Sequence, residues 1–395
     1  MSWLDRVFGL APKAETFDVS LSTETLLTRN LLSGWMDVSA NGLDLVTEAT
    51  ALGIPAFQRG IDIIAGTIAG LPLKTYTGES AERRQVLSLF DDPAGPYDMT
   101  RFNWVELQAT HLAMYREAYL LHVRNGAGVL VALFPIHPDN VVKVEWSGGS
   151  KRFTVKNGAE SVVYGTPEDP TEAGAIRQIL GPSTTGLRGR SIFESHKRMF
   201  QIAIAAEKAA ARTFTGALVA GLVSTAQDED VDEDEAASIM ELLNQRVQGV
   251  DNAGRLAFVN RHLDLKSWQM SNLDAQFAES RAFQVEEFAR ALGLPPHLLG
   301  QTDKQTSWGT GVAEQNLGLA RYTLMSYTSR MEAAYRKDLP GSDFCEFDYK
   351  GLLQGTPKDE IDLLLAQTGN LPLLTQDEAR AVINRPPIEG DTTNG

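Results

Sequence analysis

A chain of 395 residues that is 43% hydrophobic can bury one elaborate core or two to three domains, and its 22% of charged residues, well mixed with apolar ones, exclude wholesale disorder. The one cysteine, Cys345, excludes a disulfide framework within the chain and a Cys/His zinc pattern, and fits a reducing compartment. A formal net charge of −15 argues against tight DNA binding, which usually needs a basic face.

Residues 1–44 alternate short apolar and polar pieces and read as a flexible arm. Met1 to Leu10 lacks the pattern of a secretory leader. The most apolar stretch, Ile61 to Leu73, is broken by Asp62, Gly66, Thr67 and Gly70, so no membrane span is expected and a soluble cytoplasmic product is. Ile54, Phe57, Ile61, Ile64 and Ile68 recur at steps of three and four, one face of a helix with Pro55 in its first turn. Leu71-Pro72 ends it, and Leu73 to Tyr76 reads as a strand. Thr100 caps a helix through Arg116. Tyr119 to Arg124 and Val129 to Phe134, joined by Asn125-Gly126-Ala127-Gly128, form a hairpin. Val141 to Trp146 and Arg152 to Lys156 continue the β character around Gly148-Gly149.

The middle changes style. Ser191 with Glu194 is a capping box that opens a helix with an alanine-rich interior, Ile202 to Arg212, ending at Gly216. A strand at 218–223, a helix from Asp234 to Gln248 and a strand from Arg255 to Asn260 follow. Ser271 with Asp274 opens a helix carrying Phe277, Val285, Phe288 and Leu292, and Gly293-Leu294-Pro295-Pro296 stops it. Residues 301–311 are a polar loop. Leu317, Leu324 and Met331, with Ala320, Tyr327 and Ala334 between them, make the seam of a long helix. Phe344 to Tyr349 is a strand. Thr356-Pro357 and Thr375 with Glu378 start two short helices, and Pro386-Pro387 ends the last.

Chemistry is sparse. The sequence holds no P-loop, dinucleotide fingerprint, HExxH, GxSxG or EF-hand loop. Its six histidines never fall at metal-ligand spacing. The acidic run Asp228-Glu229-Asp230-Val231-Asp232-Glu233-Asp234-Glu235 reads first as a solvated loop whose last acids favour the next helix N-terminus. A rival reading makes it the metal site of a hydrolase, but a second ligand cluster is missing.

One stretch is distinctive. Asp274-Ala-Gln-Phe-Ala-Glu-Ser-Arg-Ala-Phe-Gln-Val-Glu-Glu-Phe-Ala-Arg-Ala-Leu-Gly-Leu-Pro-Pro-His-Leu-Leu-Gly300, followed by Ser307-Trp308-Gly309, Gln315-Asn316-Leu317 and Arg321-Tyr322-Thr323-Leu324, closely resembles the signature of the HK97-type phage portal family. Gly70-Leu-Pro-Leu-Lys-Thr-Tyr76, Asp92-Pro-Ala-Gly-Pro-Tyr97, Glu117-Ala-Tyr119, Pro135-Ile-His-Pro138, Leu374 to Arg380 and Arg385 to Gly390 fall in the family's order, so the resemblance covers residues 50 to 391. Arg116-Glu117 stands where the family often has Gly-Asn, and the segment after Gly181 departs from its usual form.

The resemblance implies an α+β portal fold. Residues 45–190 would form the wing, joined by a long helix and strand at 312–350. Residues 191–216 and 271–300 would be the two stem helices, with the clip at 217–270 between them. Residues 301–311 would be the tunnel loop and 351–395 a helical crown. It implies a non-enzymatic ring of twelve copies at one capsid vertex, assembled in the host cytoplasm. Double-stranded DNA would pass through it, and the terminase large subunit, the head–tail adaptor and the major capsid protein would be its partners. No cofactor, metal or membrane is expected. A gene transfer agent particle would use the same ring. Tunnel-loop residues Lys304, Gln305, Thr306, Ser307 and Trp308 would line the DNA channel, and Glu279, Arg281, Glu286, Glu287 and Arg290 would lie on the second stem helix. Asp228, Glu229, Asp230, Asp232 and Glu233 would dock partners at the clip.

Overall fold

The computed structural model describes residues 46–78, 83–158, 160–214, 221–225, 263–267, 273–300, 317–353, 365–368, 375–382 and 386. The α-helices in chain order are α1 (Glu48–Leu52), α2 (Pro55–Gly70), α3 (Arg101–Tyr115), α4 (Ile192–Ser195), α5 (Lys197–Phe214), α6 (Leu273–Leu292), α7 (Met325–Tyr335), α8 (Lys350–Leu353) and α9 (Gln376–Val382). The strands are β1 (Leu73–Thr77), β2 (Arg84–Val86), β3 (Glu117–Arg124), β4 (Leu130–Ile136), β5 (Val141–Ser147), β6 (Ser150–Asn157), β7 (Glu160–Tyr164), β8 (Ile176–Leu180), β9 (Gly221–Thr225), β10 (Leu263–Ser267) and β11 (Phe344–Phe347). They form small antiparallel sheets, β11-β1-β2, β4-β3-β8, β5-β6-β7 and the ribbon β10-β9. The fold is the expected mixture of helix and sheet.

The centre is the pair α2 and α3. The periodic residues Phe57, Ile61, Ile64 and Ile68 of α2 are buried, and they meet Val105, Ala109 and Leu112 of α3 in one core. Thr100 caps α3 as expected, its hydroxyl accepting from Asn103 N at 3.2 Å. Trp104 is fully buried and its indole N–H donates to the Leu133 carbonyl at 2.6 Å, which fixes α3 against β4. The β3–β4 hairpin closes as read, with the Asn125 side chain accepting from the N–H groups of Ala127 and Val129 and Gly128 at φ +81°. A second core of Tyr119, Ile136, Val141, Val144, Phe153, Val155, Tyr164 and Ile176 fills the space between the β3 and β6 sheets.

Three expectations are corrected, and new strands appear. Ser191 does accept from Glu194 N, but it caps only the single turn α4, and the chain bends at His196 before α5 begins. β7 and β8 have no counterpart in the sequence reading. The strand placed at 218–223 runs over Gly221–Thr225, and it pairs with Leu263–Ser267, a strand the sequence reading did not contain. The long-helix seam holds for Ala320, Leu324, Tyr327, Met331 and Ala334, all buried, whereas Leu317 is 41% exposed. The reason is a π-helical turn over Leu319–Leu324, which winds more loosely and throws Leu317 off the seam. The buried face packs inside this chain, so the repeat is not a coiled coil. The helix 234–248, the strand 255–260, Gly216 and Thr356-Pro357 lie outside the described residues.

Arg116 has φ +59°, the left-handed region that glycine favours. An arginine there costs about 1–2 kcal/mol of backbone strain. Its guanidinium offsets part of that by donating to Tyr327 Oη at 2.6 Å, tying the end of α3 to α7. Gly181 and Gly189 both press on the Arg116 carbonyl: a Cβ on Gly189 would lie 2.2 Å from that oxygen.

Candidate channel-forming helix pair

Two long helices leave one end of the core. α5 has 18 residues and α6 has 20, and a 20-residue helix spans about 30 Å. Their roots are locked by aromatic rings. Phe57 of α2, Phe193 of α4, Phe200 of α5 and Phe288 of α6 pack with centroid separations of 4.9 to 6.1 Å. Phe200, Ala203, Phe288, Ala289 and Leu292 are buried. α2 approaches α6 so closely at Gly60 that a Cβ there would sit 2.3 Å from Leu292 Cδ1. Gly293, at φ +72°, ends α6, and its carbonyl accepts from Thr323 Oγ1 at 2.5 Å.

Above the roots, the described part of the pair exposes Ile202 of α5 and Phe283 of α6 beside charged residues. Arg281 of α6 lies 3.7 Å from Glu207 of α5, with both side chains more than a third exposed, so the pair contributes at most about 1 kcal/mol. Glu286 and Glu287 are half-buried and Arg290 is exposed. Glu287 faces His196 at the foot of α5, where burial first, then the fields of Arg116 and Arg190, hold that imidazole below its usual value against the pull of Glu287. Glu279 lies on α6, and its side chain is outside the described residues. Lys304, Gln305, Thr306, Ser307 and Trp308 and the acidic residues Asp228, Glu229, Asp230, Asp232 and Glu233 are also outside them. Among the expected site residues, the structure therefore brings Arg281, Glu286, Glu287 and Arg290 onto one helix.

Sequence reasoning missed the ionic anchors beneath the pair. Glu117, buried at the start of β3, accepts from Arg188 Nε at 3.0 Å, Arg188 Nη2 at 2.6 Å and the Gly189 N–H at 2.7 Å. This clamps the segment that leads into α4 and α5. Asp338, at the end of the long helix, accepts from Arg177 of β8 at 2.6 Å, and His122 Nε2 lies 3.3 Å away. Burial opposes the Asp338 charge, but the His122 and Arg177 contacts outweigh it and hold the carboxyl below the usual range. The one available signal was Glu117 beside Arg116, a departure from the resembled pattern.

The described residues contain one cluster with metal-type ligands, Glu48, His137 and Asp139. Its hydrogen bonds already occupy it. His137 Nδ1 accepts from Asp139 N at 3.2 Å, so Nε2 carries the proton and donates to Glu48 at 3.0 Å, while Tyr115 Oη donates its one proton to Glu48 at 2.5 Å and lies 3.0 Å from Asp139. This group latches α1 to α3.

Known proteins share this architecture. The family model described as phage portal protein matches residues 55–384. The portal protein of Enterobacteria phage HK97 is 28% identical over 92% of this chain and 87% of its own length. The probable portal protein of Streptomyces phage phiC31 is 29% identical over 89% of this chain and 78% of its own. The chain belongs to the phage portal protein family. Solved structures show the same fold. An HK97-family phage portal protein from Corynebacterium diphtheriae matches with a TM-score of 0.57 at 19% identity, covering 79% of this chain and 99% of that one. A chain from the virion of a native gene transfer agent particle matches with 0.57 at 21% identity, covering 86% and 92%. The neck of such a particle, computed with C12 symmetry, matches with 0.55 at 21% identity, covering 86% of this chain and 92% of that one.

Proposed function

We propose that this portal subunit closes with copies of itself into a twelvefold ring at one vertex of a phage capsid, through which double-stranded DNA enters and leaves. The carrying observation is the pair α5 and α6, two long helices set side by side on one buried aromatic root. Repeated around an axis, such a pair makes a wall. The helices act as the stem, and the chain between them acts as the clip that meets the terminase large subunit during packaging and a head–tail adaptor afterwards. The major capsid protein surrounds the wing.

A conduit must touch DNA without holding it. Each phosphate neutralised by Lys or Arg releases counterions and tightens binding. Glu286 and Glu287, balanced by Arg281 and Arg290 on the same helix, avoid a uniformly basic wall. Salt screens the remaining repulsion within about 8–10 Å. The ring acts mechanically and performs no chemistry. Its residues Lys304 to Trp308 form the narrow loop, where Lys304 becomes a ring of charges that touches phosphates in passing. The acids Asp228, Glu229, Asp230, Asp232 and Glu233 serve clip docking.

Negative-stain imaging and native mass measurement of the purified protein test the ring. Particles with a central hole are expected, and a strictly monomeric protein refutes the proposal. Lys304→Glu should change packaging or retention of DNA while rings still assemble. Metal-dependent hydrolysis by the pure protein would favour an enzyme instead. A gene transfer agent particle would use the same ring, and the similarity to such a particle's neck supports that setting equally.

A further inference from the structure

A cleft of about 600 Å³ opens between the β5–β6 turn, β8 and α7. That is the size of a small-ligand pocket or of a few side chains. Two features mark it as a place where something docks.

The first is an indole that stays largely exposed on the inner side of a sheet, with the Lys151 ammonium over its ring, 5.7 Å from the centroid. In the β5–β6 register Trp146 pairs with Lys151 and Val144 with Phe153. Side chains two apart on a strand share a face. Val144 and Phe153 are 8% and 1% exposed, yet Trp146, on their face, is 59% exposed because the cleft opens beneath it. A large rigid ring at a pocket mouth is the commonest kind of interface anchor.

The second is positive charge without a direct ion pair, in a chain of net −15, although Lys151 feels the field of Glu117. Arg177 and Arg152 beside the cleft are matched by Asp338, Glu168 and Asp169. Lys151, Arg330 and Lys337, which also line it, make no ion pair with a carboxylate among the described residues. Lys151 donates to neutral acceptors, Gln178 Oε1 and the Gly186 carbonyl, both at 2.7 Å. Arg330 donates to the Ser326 carbonyl in its own helix. Glu168, which feels the field of Lys337, is already held by Arg177 at 2.7 Å.

We infer that this cleft receives a carboxylate-bearing segment of a second copy of the chain, with Lys337, Arg330 and Lys151 taking the carboxylates and Trp146 covered by the same segment. The inference rests on the ring proposed above. Ring contacts are heterologous, so a cleft on one subunit meets a different patch on the next. Every copy carries a surplus of acidic residues, 51 against 36 basic ones, so a neighbour supplies the complementary charge.

The test uses the full chain. Heavy-isotope and ordinary protein are mixed, assembled into rings, treated with a zero-length carbodiimide and mapped by mass spectrometry. Heavy–light links joining Lys337 or Lys151 to an Asp or Glu are expected. The pair Lys337→Glu and Arg330→Glu should lower ring formation about tenfold at physiological salt, since like charges then face each other. Circular dichroism of the variants controls for folding. If rings form with no heavy–light link at either lysine and the double variant assembles as well as the parent, the cleft is not a seam, although the ring stands. If the parent never forms rings, the ring and the cleft contact fall together.

Discussion

His111 offers a sharp test of how this core is built. It lies on α3 with 1% of its surface exposed, and neither ring nitrogen has a hydrogen-bond partner among the described residues. Burial, then the field of His137, push its pKa down to about 3 from the usual 6.5, and Glu48 only partly opposes them. The folded chain therefore keeps His111 neutral where the unfolded chain would protonate it. Unfolding takes up a proton, so stability is complete above the unfolded value and is lost as pH falls through the window from 6.5 toward 3. The slope is about 1.4 kcal/mol per pH unit, or about 2 kcal/mol between pH 7 and pH 5. His111→Phe keeps a flat ring against Tyr115 and His137, forfeits no hydrogen bond and cannot take the proton. Urea denaturation of parent and variant at pH 7 and pH 5 measures the effect. Acid-sensitive groups remote from His111 are common to both proteins and cancel in the difference, which leaves His111 and its coupling to Glu48 and His137. The variant should gain about 2 kcal/mol on the parent as pH drops. An offset that is equal at the two pH values, or that moves toward the parent at pH 5, refutes the buried neutral imidazole.

Phe288→Ala empties the ring cluster at the root of α6 and should cost about 3–5 kcal/mol, read as a lowered urea midpoint, with α6 exchanging its amide hydrogens faster than α3. Asp338→Ala leaves Arg177, 6% exposed, with only the more exposed Glu168, and should cost about 3 kcal/mol or more in the same assay. Gly60→Val drives a branched side chain into Leu292 and should cost about 1–3 kcal/mol, whereas a valine tolerated there without loss would mean that α2 and α6 do not approach as described.

Much of this protein is written locally. The three-four spacing of Phe57, Ile61, Ile64 and Ile68 specifies α2, Thr100 starts α3, Asn125 and Gly128 turn the hairpin, and Gly293 with Pro295 stops α6, because each signal acts through backbone geometry within a few residues. The long signature from Asp274 to Gly300 carries the family in the same way. Other features needed the folded chain. β1 finds β11 at the far end of the sequence, Leu73 against Phe347, and no local pattern announces such a pairing. β8 is legible only as the partner that Glu117 to Leu121 select. The π turn before α7 rotates Leu317 off a seam that a uniform helical period would have kept. Glu117 and Asp338 look like surface acids in sequence, but they are buried because Arg188 and Arg177, distant in the chain, arrive to satisfy them. Hydrophobic period and capping are properties of neighbouring residues. The burial of a charge is decided by a partner that only tertiary structure delivers.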